Sequence, residues 1–325
     1  MHARRSILLL LLIAALSSRG LSQTEEQFLP SEVKQLTIVT EPVSLPKGFF
    51  RLGSVFTYGM VDKIFNDQGR KEYLAESTWG TDWSISLLGQ YGITDRLQVD
   101  LMLPYRNLAF YNSWGYVMLP EDLQEDMTWD LKGSGLGDID LYTRYQILTE
   151  TERRPSLVGE VSVTLPTGSK NPKDINDWYD FKLPTGYGEV NLGARLQLRK
   201  IIYPVSYKLH GDYTYSLGGK KRFNPDDLEE RSFKSGARVN IGGSGDILLN
   251  DWISLANDLN FTYAWKGEKE DAFEGELYSY WLVAYEVGFV FQIRKFRVAE
   301  RVSVPLKGIN IHADPLYVLM VQYIF

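Results

Sequence analysis

The sequence predicts an all-β fold, a transmembrane antiparallel β-barrel of about twelve strands in an up-and-down meander. Three observations predict it. Apolar and polar residues alternate with period two from residue 47 onward, the connections between these segments are by turns short and long, and the one long apolar run is confined to the N-terminus. The chain of 325 residues is 44% hydrophobic and 13% aromatic, yet its mean hydropathy is −0.22. So much apolar material excludes disorder. The absence of Cys excludes disulfide scaffolds, Cys zinc sites, iron–sulfur clusters and thiol catalysis.

The first element is a secretory signal peptide, expected over residues 1–22. Arg4 and Arg5 supply its basic flank, residues 7–16 its apolar core, and residues 15–22 a small-residue stretch suited to cleavage between Ser17 and Gln23. The apolar run is about half of the ~20 residues that a spanning helix needs, and no Cys lies nearby to take a lipid anchor. Losing Arg4, Arg5 and Arg19 takes three positive charges from the formal −6 and leaves the exported chain near −9. An acidic exported protein is poorly suited to nucleic acid. Residues 23–46 read as a polar periplasmic lead-in or plug, and residues 47–325 as the barrel.

The clearest strands are 97–103, 139–147, 190–198 and 205–213, where every second residue is apolar and most of those between are polar. The same alternation, with more noise, covers 50–60, 83–93, 157–165, 237–248, 253–265, 283–293, 296–304 and 317–325. Many of these runs exceed the five or six residues usual in soluble sheets. Short turns are expected near 94–96, 149–155, 200–202, 249–251 and 294–295. Long loops are expected near 61–82, 107–136, 167–187, 217–232, 266–276 and 307–314. That asymmetry, with an even strand number, describes a barrel of the outer-membrane type, which must close because an unpaired edge in lipid leaves backbone groups without partners.

Aromatics collect at both strand ends. Trp83, Tyr105, Tyr213, Tyr215, Tyr263, Trp265, Tyr280 and Trp281 lie toward the long loops, and Tyr91, Tyr145, Tyr203, Trp252, Phe291 and Phe296 toward the short turns. Amphipathic rings prefer such interfacial levels. The last strand, 317–325, is apolar or aromatic at every odd position and ends on Phe325. This ending resembles the C-terminal signal that the assembly machinery of bacterial outer-membrane barrels reads.

The segment from Gly133 through Gly137-Asp138-Ile139 to Tyr145, followed by Pro155-Ser156-Leu157 and by Leu165-Pro166-Thr167-Gly168, resembles the outer-membrane transporter family named for the meta-pathway of phenol degradation. Tyr91-Gly92-Ile93-Thr94-Asp95-Arg96-Leu97, leading into Leu103-Pro104-Tyr105, is similar to an earlier hairpin of that family. The resemblance implies an outer-membrane barrel that acts as a channel or transporter for small compounds, hydrophobic or aromatic ones among them. These motifs are barrel grammar and carry no catalytic signature.

Two of the motifs recur. Gly135-x-Gly137-Asp138 returns as Gly186-x-Gly188-Glu189, and Leu165-Pro166-Thr167-Gly168 as Leu183-Pro184-Thr185-Gly186. A hairpin unit has been reused. A phosphate cradle is excluded because no helix follows to present its N-terminus. Glycine where a loop enters a strand relaxes the backbone for a bend or bulge.

If the apolar parity faces lipid, the other faces the lumen. It carries Asp138, Asp140, Arg144 and Gln146 on one strand and Lys208, His210 and Asp212 on another, with Asp100, Glu160, Glu189, Arg195, Glu286 and Arg294 from similar alternation elsewhere. Charge of both signs inside a barrel is either a structural network or a selectivity lining. About twelve strands lie between barrels filled by side chains and sixteen-stranded porins, so a narrow pore and a lumen plugged by residues 23–46 or by the loop after the third strand are both compatible.

Enzymatic readings are weaker. Asp138-x-Asp140 with His210-x-Asp212 resembles the acidic and acid–His pairs of omptin-type outer-membrane proteases, but alternation places Asp138 near a strand end and His210 near mid-strand. No G-x-S-x-G is present and no Ser stands beside a placed His. The acidic group Glu121, Asp122, Glu125 and Asp126 lacks calcium-loop spacing and reads as a solvated, lipopolysaccharide-repelling or cation-binding surface.

The reading is therefore a channel or transporter in the outer membrane of a Gram-negative bacterium, passing small solutes through a narrow charged lumen, with both termini periplasmic and no cofactor, metal or catalytic residue. Its expected partners are outer-membrane lipid and lipopolysaccharide, the assembly machinery through Phe325, and a small-molecule permeant. A closed structural or surface-interaction barrel and a barrel hydrolase using His210 or His312 remain the alternatives.

Overall fold

The computed structural model describes residues 44–74, 79–111, 131–174, 181–222, 228–269 and 278–325. The expected signal peptide, most of the expected lead-in and the acidic group at Glu121 to Asp126 lie outside the described residues. Long strands run in chain order as β1 Phe50–Val61, β2 Trp79–Gly92, β3 Leu97–Tyr111, β4 in two pieces (Leu131–Leu136 and Ile139–Leu148), β5 Ser156–Leu165 and β6 Glu189–Ile202. They continue as β7 Val205–Lys221, β8 Arg238–Leu248, β9 Ile253–Ala264, β10 Tyr280–Ile293, β11 Phe296–Ile309 and β12 Leu316–Ile324. Each pairs antiparallel with the next, and β12 returns to β1 from Arg51↔Ile324 to Gly59↔Leu316. The sheet is closed and no β-strand of the barrel is an edge.

Alternation decides which side chains face out. Along β7, Tyr207, Leu209, Tyr213 and Tyr215 are exposed while Ser206, Lys208 and Ser216, of the opposite parity, are buried. The same split puts Leu52 and Phe56, Ile85 and Leu87, and Leu192, Leu196 and Leu198 outside. An exposed apolar wall over buried polar groups is the reverse of a soluble protein and suits hydrocarbon as the outer solvent. Two outer polar groups satisfy each other: Tyr285 Oη donates to Asn257 Oδ1 at 2.6 Å. Nothing in the structure accounts for Glu300, exposed on the outer face between Phe289 and Leu319.

Several boundaries differ from the sequence expectation. Residues 200–202, read as a turn, belong to β6; pairing runs on to Ile202↔Val205, and the chain reverses at Tyr203-Pro204. Strands β3 and β7 extend well beyond their expected ends toward the long loops. Pro104 lies within β3, and β4 is interrupted at Gly137 and Asp138 beside it, where Gly137 N donates to Pro104 O. A residue with no N–H to give cannot sustain an unbroken ladder.

Beyond the barrel at the long-loop end, Lys63–Phe65, Lys71–Tyr73 and Ile311–His312 form a small sheet. Asp314 Oδ2 accepts the N–H groups of Asp62 and Lys63, each at 2.8 Å. Burial pushes the His312 imidazole below its ordinary value, with the nearby carboxylates of Asp314 and Asp82 opposing.

The repeated motifs find their role at the same end. Asp138 accepts the N–H of Gly168 at 2.9 Å and of Tyr187 at 2.7 Å, which ties together the two Leu-Pro-Thr-Gly segments. Thr185 Oγ1 donates to Leu136 O, and Thr167 Oγ1 to Gly137 O. Gly168 and Gly186 face one another so closely that a Cβ on either would collide with the other's backbone. The second acid, Glu189, accepts from Ser216 Oγ at 2.7 Å and from Ser235 N at 3.0 Å.

Two outcomes follow from these contacts. Asp138→Ala leaves two N–H groups without their acceptor, a loss of about 2 to 3 kcal/mol of local stability; limited proteolysis between residues 166 and 188 should accelerate at least tenfold with the barrel intact, whereas an unchanged cleavage rate contradicts the tie. Because the folded His312 pKa is depressed, its contribution to the stability of the small sheet is present above the ordinary imidazole value of 6.5 and is lost as pH falls below it. The protection factor of the amides at residues 311–314, the exchange rate corrected for its intrinsic pH dependence, should therefore fall between pH 7 and pH 5, and His312→Gln should flatten that dependence.

Candidate functional site: the lumen of the barrel

The inner wall is built from the buried parity of each strand. Across β4 to β7 the register sets inward residues of opposite sign side by side, Arg144↔Glu160, Glu160↔Arg195 and Arg195↔Asp212, and on β8 the neutral Asn240 stands opposite Asp212. Cross-strand neighbours on one face lie within reach of each other, so the ladder forms directly from the pairing. Arg144 Nε and Nη2 both donate to Glu160 Oε2, at 3.0 and 2.9 Å. Arg195 Nε stands 3.0 Å from Asp212 Oδ1. Asn240 Nδ2 donates to Asp212 Oδ2 at 2.9 Å, and Thr262 Oγ1 to Asn240 Oδ1 at 3.0 Å.

Toward the short-turn end the ladder continues into buried amides. Asp100 accepts from Gln98 Nε2 at 2.5 Å and Gln90 Nε2 at 2.9 Å, with Arg144 Nη2 at 3.9 Å. Gln90 Oε1 in turn accepts from Arg51 Nη1 at 3.0 Å. Residues 44–48 enter this network. Leu45, fully buried, donates its N–H to Gln98 Oε1 at 2.6 Å, Ser44 Oγ lies 3.3 Å from Gln146 Oε1, and Lys47 N donates to Asp95 Oδ1 at 3.1 Å. Gly92 makes room for them, since any Cβ there would strike the Leu45 and Pro46 carbonyls. The chain thus passes over the inner face of β2 to β4 before it becomes β1.

The remaining expected residues divide. Lys208 pairs with Asp246 at 3.1 Å, both buried, and Glu286 with Arg301 at 2.7 Å. Asp140 accepts from Thr164 Oγ1 at 2.5 Å. His210 Nε2 lies 3.3 Å from Asn240 Nδ2 and 3.9 Å from Asp212 Oδ2. Asp138 and Glu189 hold loop backbone at the long-loop end, and Arg294 is exposed at a positive-φ position of the turn between β10 and β11, off the wall. The omptin-like constellation does not assemble: Asp138 is committed to Gly168 and Tyr187, whereas His210 sits mid-strand opposite Gln197 and Gly242.

Sequence reasoning missed Arg51, Gln90, Gln98, Asp246, Asp258 and Arg301. The parity signal was present for Arg51, between exposed Phe50 and Leu52, and for Gln98. At Asp246 and Asp258 it is blurred by the glycines of β8 and by the adjacent polar pair Asn257-Asp258. One sector of the inner wall is apolar, with Leu248, Ala256, Val290 and Ala299 buried together and Met320 packed on them. On the outer wall, small residues Gly159, Ala194 and Gly211 open a depression of about 670 Å³ rimmed by Tyr145, Leu196, Tyr213 and Ile241.

Arg144→Met should lower stability in detergent or lipid by about 2 kcal/mol, because it takes from the half-buried carboxylate of Glu160 its two charge-assisted hydrogen bonds. Urea unfolding followed by Trp fluorescence measures this. The double change with Glu160→Met should cost less than the single one, and a single variant within about 1 kcal/mol of the parent contradicts the ladder's structural weight.

No family model matches the chain. Among solved structures, the COG4313 outer membrane channel from Pseudomonas putida F1 superposes with a TM-score of 0.66 at 18% identity, covering 87% of this chain and 97% of the other. The transport unit of the autotransporter AIDA-I from Escherichia coli superposes with a TM-score of 0.52 at 10% identity, covering 94% of each chain. At these identities the likeness is one of fold: the chain has the architecture of an outer-membrane β-barrel.

Proposed function

We propose that the protein is an outer-membrane channel that passes small solutes through a narrow lumen lined by charge. The observation that carries this reading is a closed sheet whose outer wall is apolar and whose inner wall is polar and charged, an arrangement that creates a polar path across a hydrocarbon layer. The short turns and both termini face the periplasm and the long loops the exterior, the orientation usual for such barrels. Outer-membrane lipid and lipopolysaccharide surround the wall, and Phe325, packed on Phe50 and Tyr323 at the short-turn end, is available to the assembly machinery. The permeant is small. The apolar sector around Ala256 and Val290, beside the charged ladder, supports a solute with a hydrophobic or aromatic body. The chemistry is passage rather than catalysis.

A second reading, a barrel closed at the periplasmic mouth, is favoured by residues 44–48, whose Leu45 is anchored to Gln98 inside the wall. Single-channel recording in planar bilayers separates the two. The channel reading predicts discrete conductance steps for the parent and larger ones for Gln98→Ala, which frees Leu45; no conductance, with no liposome swelling in small solutes, overturns it in favour of the closed barrel.

A further inference from the structure

One inward carboxylate takes no part in the pairing network. Asp258 of β9 stands opposite Ser244 of β8 and Glu286 of β10. The basic groups around it have partners of their own, His210 beside Asp212, Lys208 with Asp246 and Arg301 with Glu286. Among the described residues Asp258 has no hydrogen-bond or ion-pair partner; its Oδ1 is tucked against the wall, while the side chain as a whole is only half-buried. Two further acceptors beside it share this condition. Ser244, only 9% exposed, has an unpartnered Oγ, and Asn260, next on the same face of β9, an unpartnered Oδ1. Gly242, opposite Asn260, allows the convergence: a Cβ there would collide with Asn260 Oδ1 and the His210 ring.

A buried acceptor left unmatched costs about 1 to 3 kcal/mol, and more when it is charged. Three of them on one patch therefore favour a ligand that brings several N–H donors and a positive charge. A primary ammonium carries three donors and no acceptor. A hydroxyl supplies one donor and leaves the carboxylate uncompensated. Toward the short-turn end the inner wall turns apolar at Ala256 and Val290, which gives an attached hydrocarbon body a surface to lie on.

We propose that Asp258, Asn260 and Ser244 form a subsite in the lumen for the ammonium head of a small organic amine. The proposal deepens the channel reading and rests on solute reaching the lumen, but its test is equilibrium binding, so it is judged apart from conductance. Benzylammonium chloride is titrated calorimetrically into the full-length barrel in detergent, with benzyl alcohol and potassium chloride as separate arms. The expected result is saturable binding of one benzylammonium per barrel, weakened at least tenfold in Asp258→Asn and about threefold in Ser244→Ala, with both variants keeping heat-modifiable migration. Benzyl alcohol binding as tightly as benzylammonium, potassium chloride suppressing no binding while Asp258→Asn leaves the affinity unchanged, or no saturable binding to the parent would each overturn it. Binding without bilayer conductance would instead sink the channel reading and leave the subsite standing.

Discussion

The structure depends on one constraint: a strand in hydrocarbon must find a partner for every backbone N–H and C=O. The pairing of β12 with β1, from Arg51↔Ile324 to Gly59↔Leu316, removes the last open edge. Once the sheet is closed, each strand has an inside and an outside, and successive side chains must alternate between them. The outer parity is free to be Leu, Ile, Phe and Tyr; the inner parity, shielded from lipid, is where polar chemistry becomes affordable.

Inside, the register converts sequence alternation into a ladder. Arg144, Glu160, Arg195 and Asp212 belong to four consecutive strands and meet because their pairs are directly opposite. Charges of alternating sign compensate one another's desolvation, which isolated charges in a narrow lumen would not. The acids of the two repeated motifs serve a different purpose. Asp138 and Glu189 accept backbone N–H groups of the long loops, so a single local solution, glycine for close approach and carboxylate for the exposed donors, is used twice at the same end of the barrel.

The strands were legible because period-two alternation is local and survives without knowledge of neighbours. The lumen was legible only in part. Asp100, Arg144, Arg195, Lys208 and Asp212 lie on cleanly alternating strands and Glu160 on a noisier one, but who pairs with whom depends on strand register, which no single strand encodes. Lys208, for instance, pairs with Asp246 across β8 and not with a residue of its own strand. Asp258 was hidden because Asn257 beside it is also polar, yet points outward to Tyr285. The break in β4 at Gly137-Asp138 has a visible cause in Pro104, but only after pairing sets the two side by side.

The central claim, a closed barrel in lipid with a polar interior, is tested most directly by spin labels on β7 in liposomes. The chain has no native Cys, so Tyr207→Cys, Leu209→Cys and Tyr213→Cys, with Ser206→Cys and Thr214→Cys, each carry a single label. The account predicts high collision rates with oxygen and low ones with a water-soluble nickel chelate at 207, 209 and 213, and the loss of that lipid signature at 206 and 214. Exposure of 207, 209 and 213 to the aqueous chelate would contradict it.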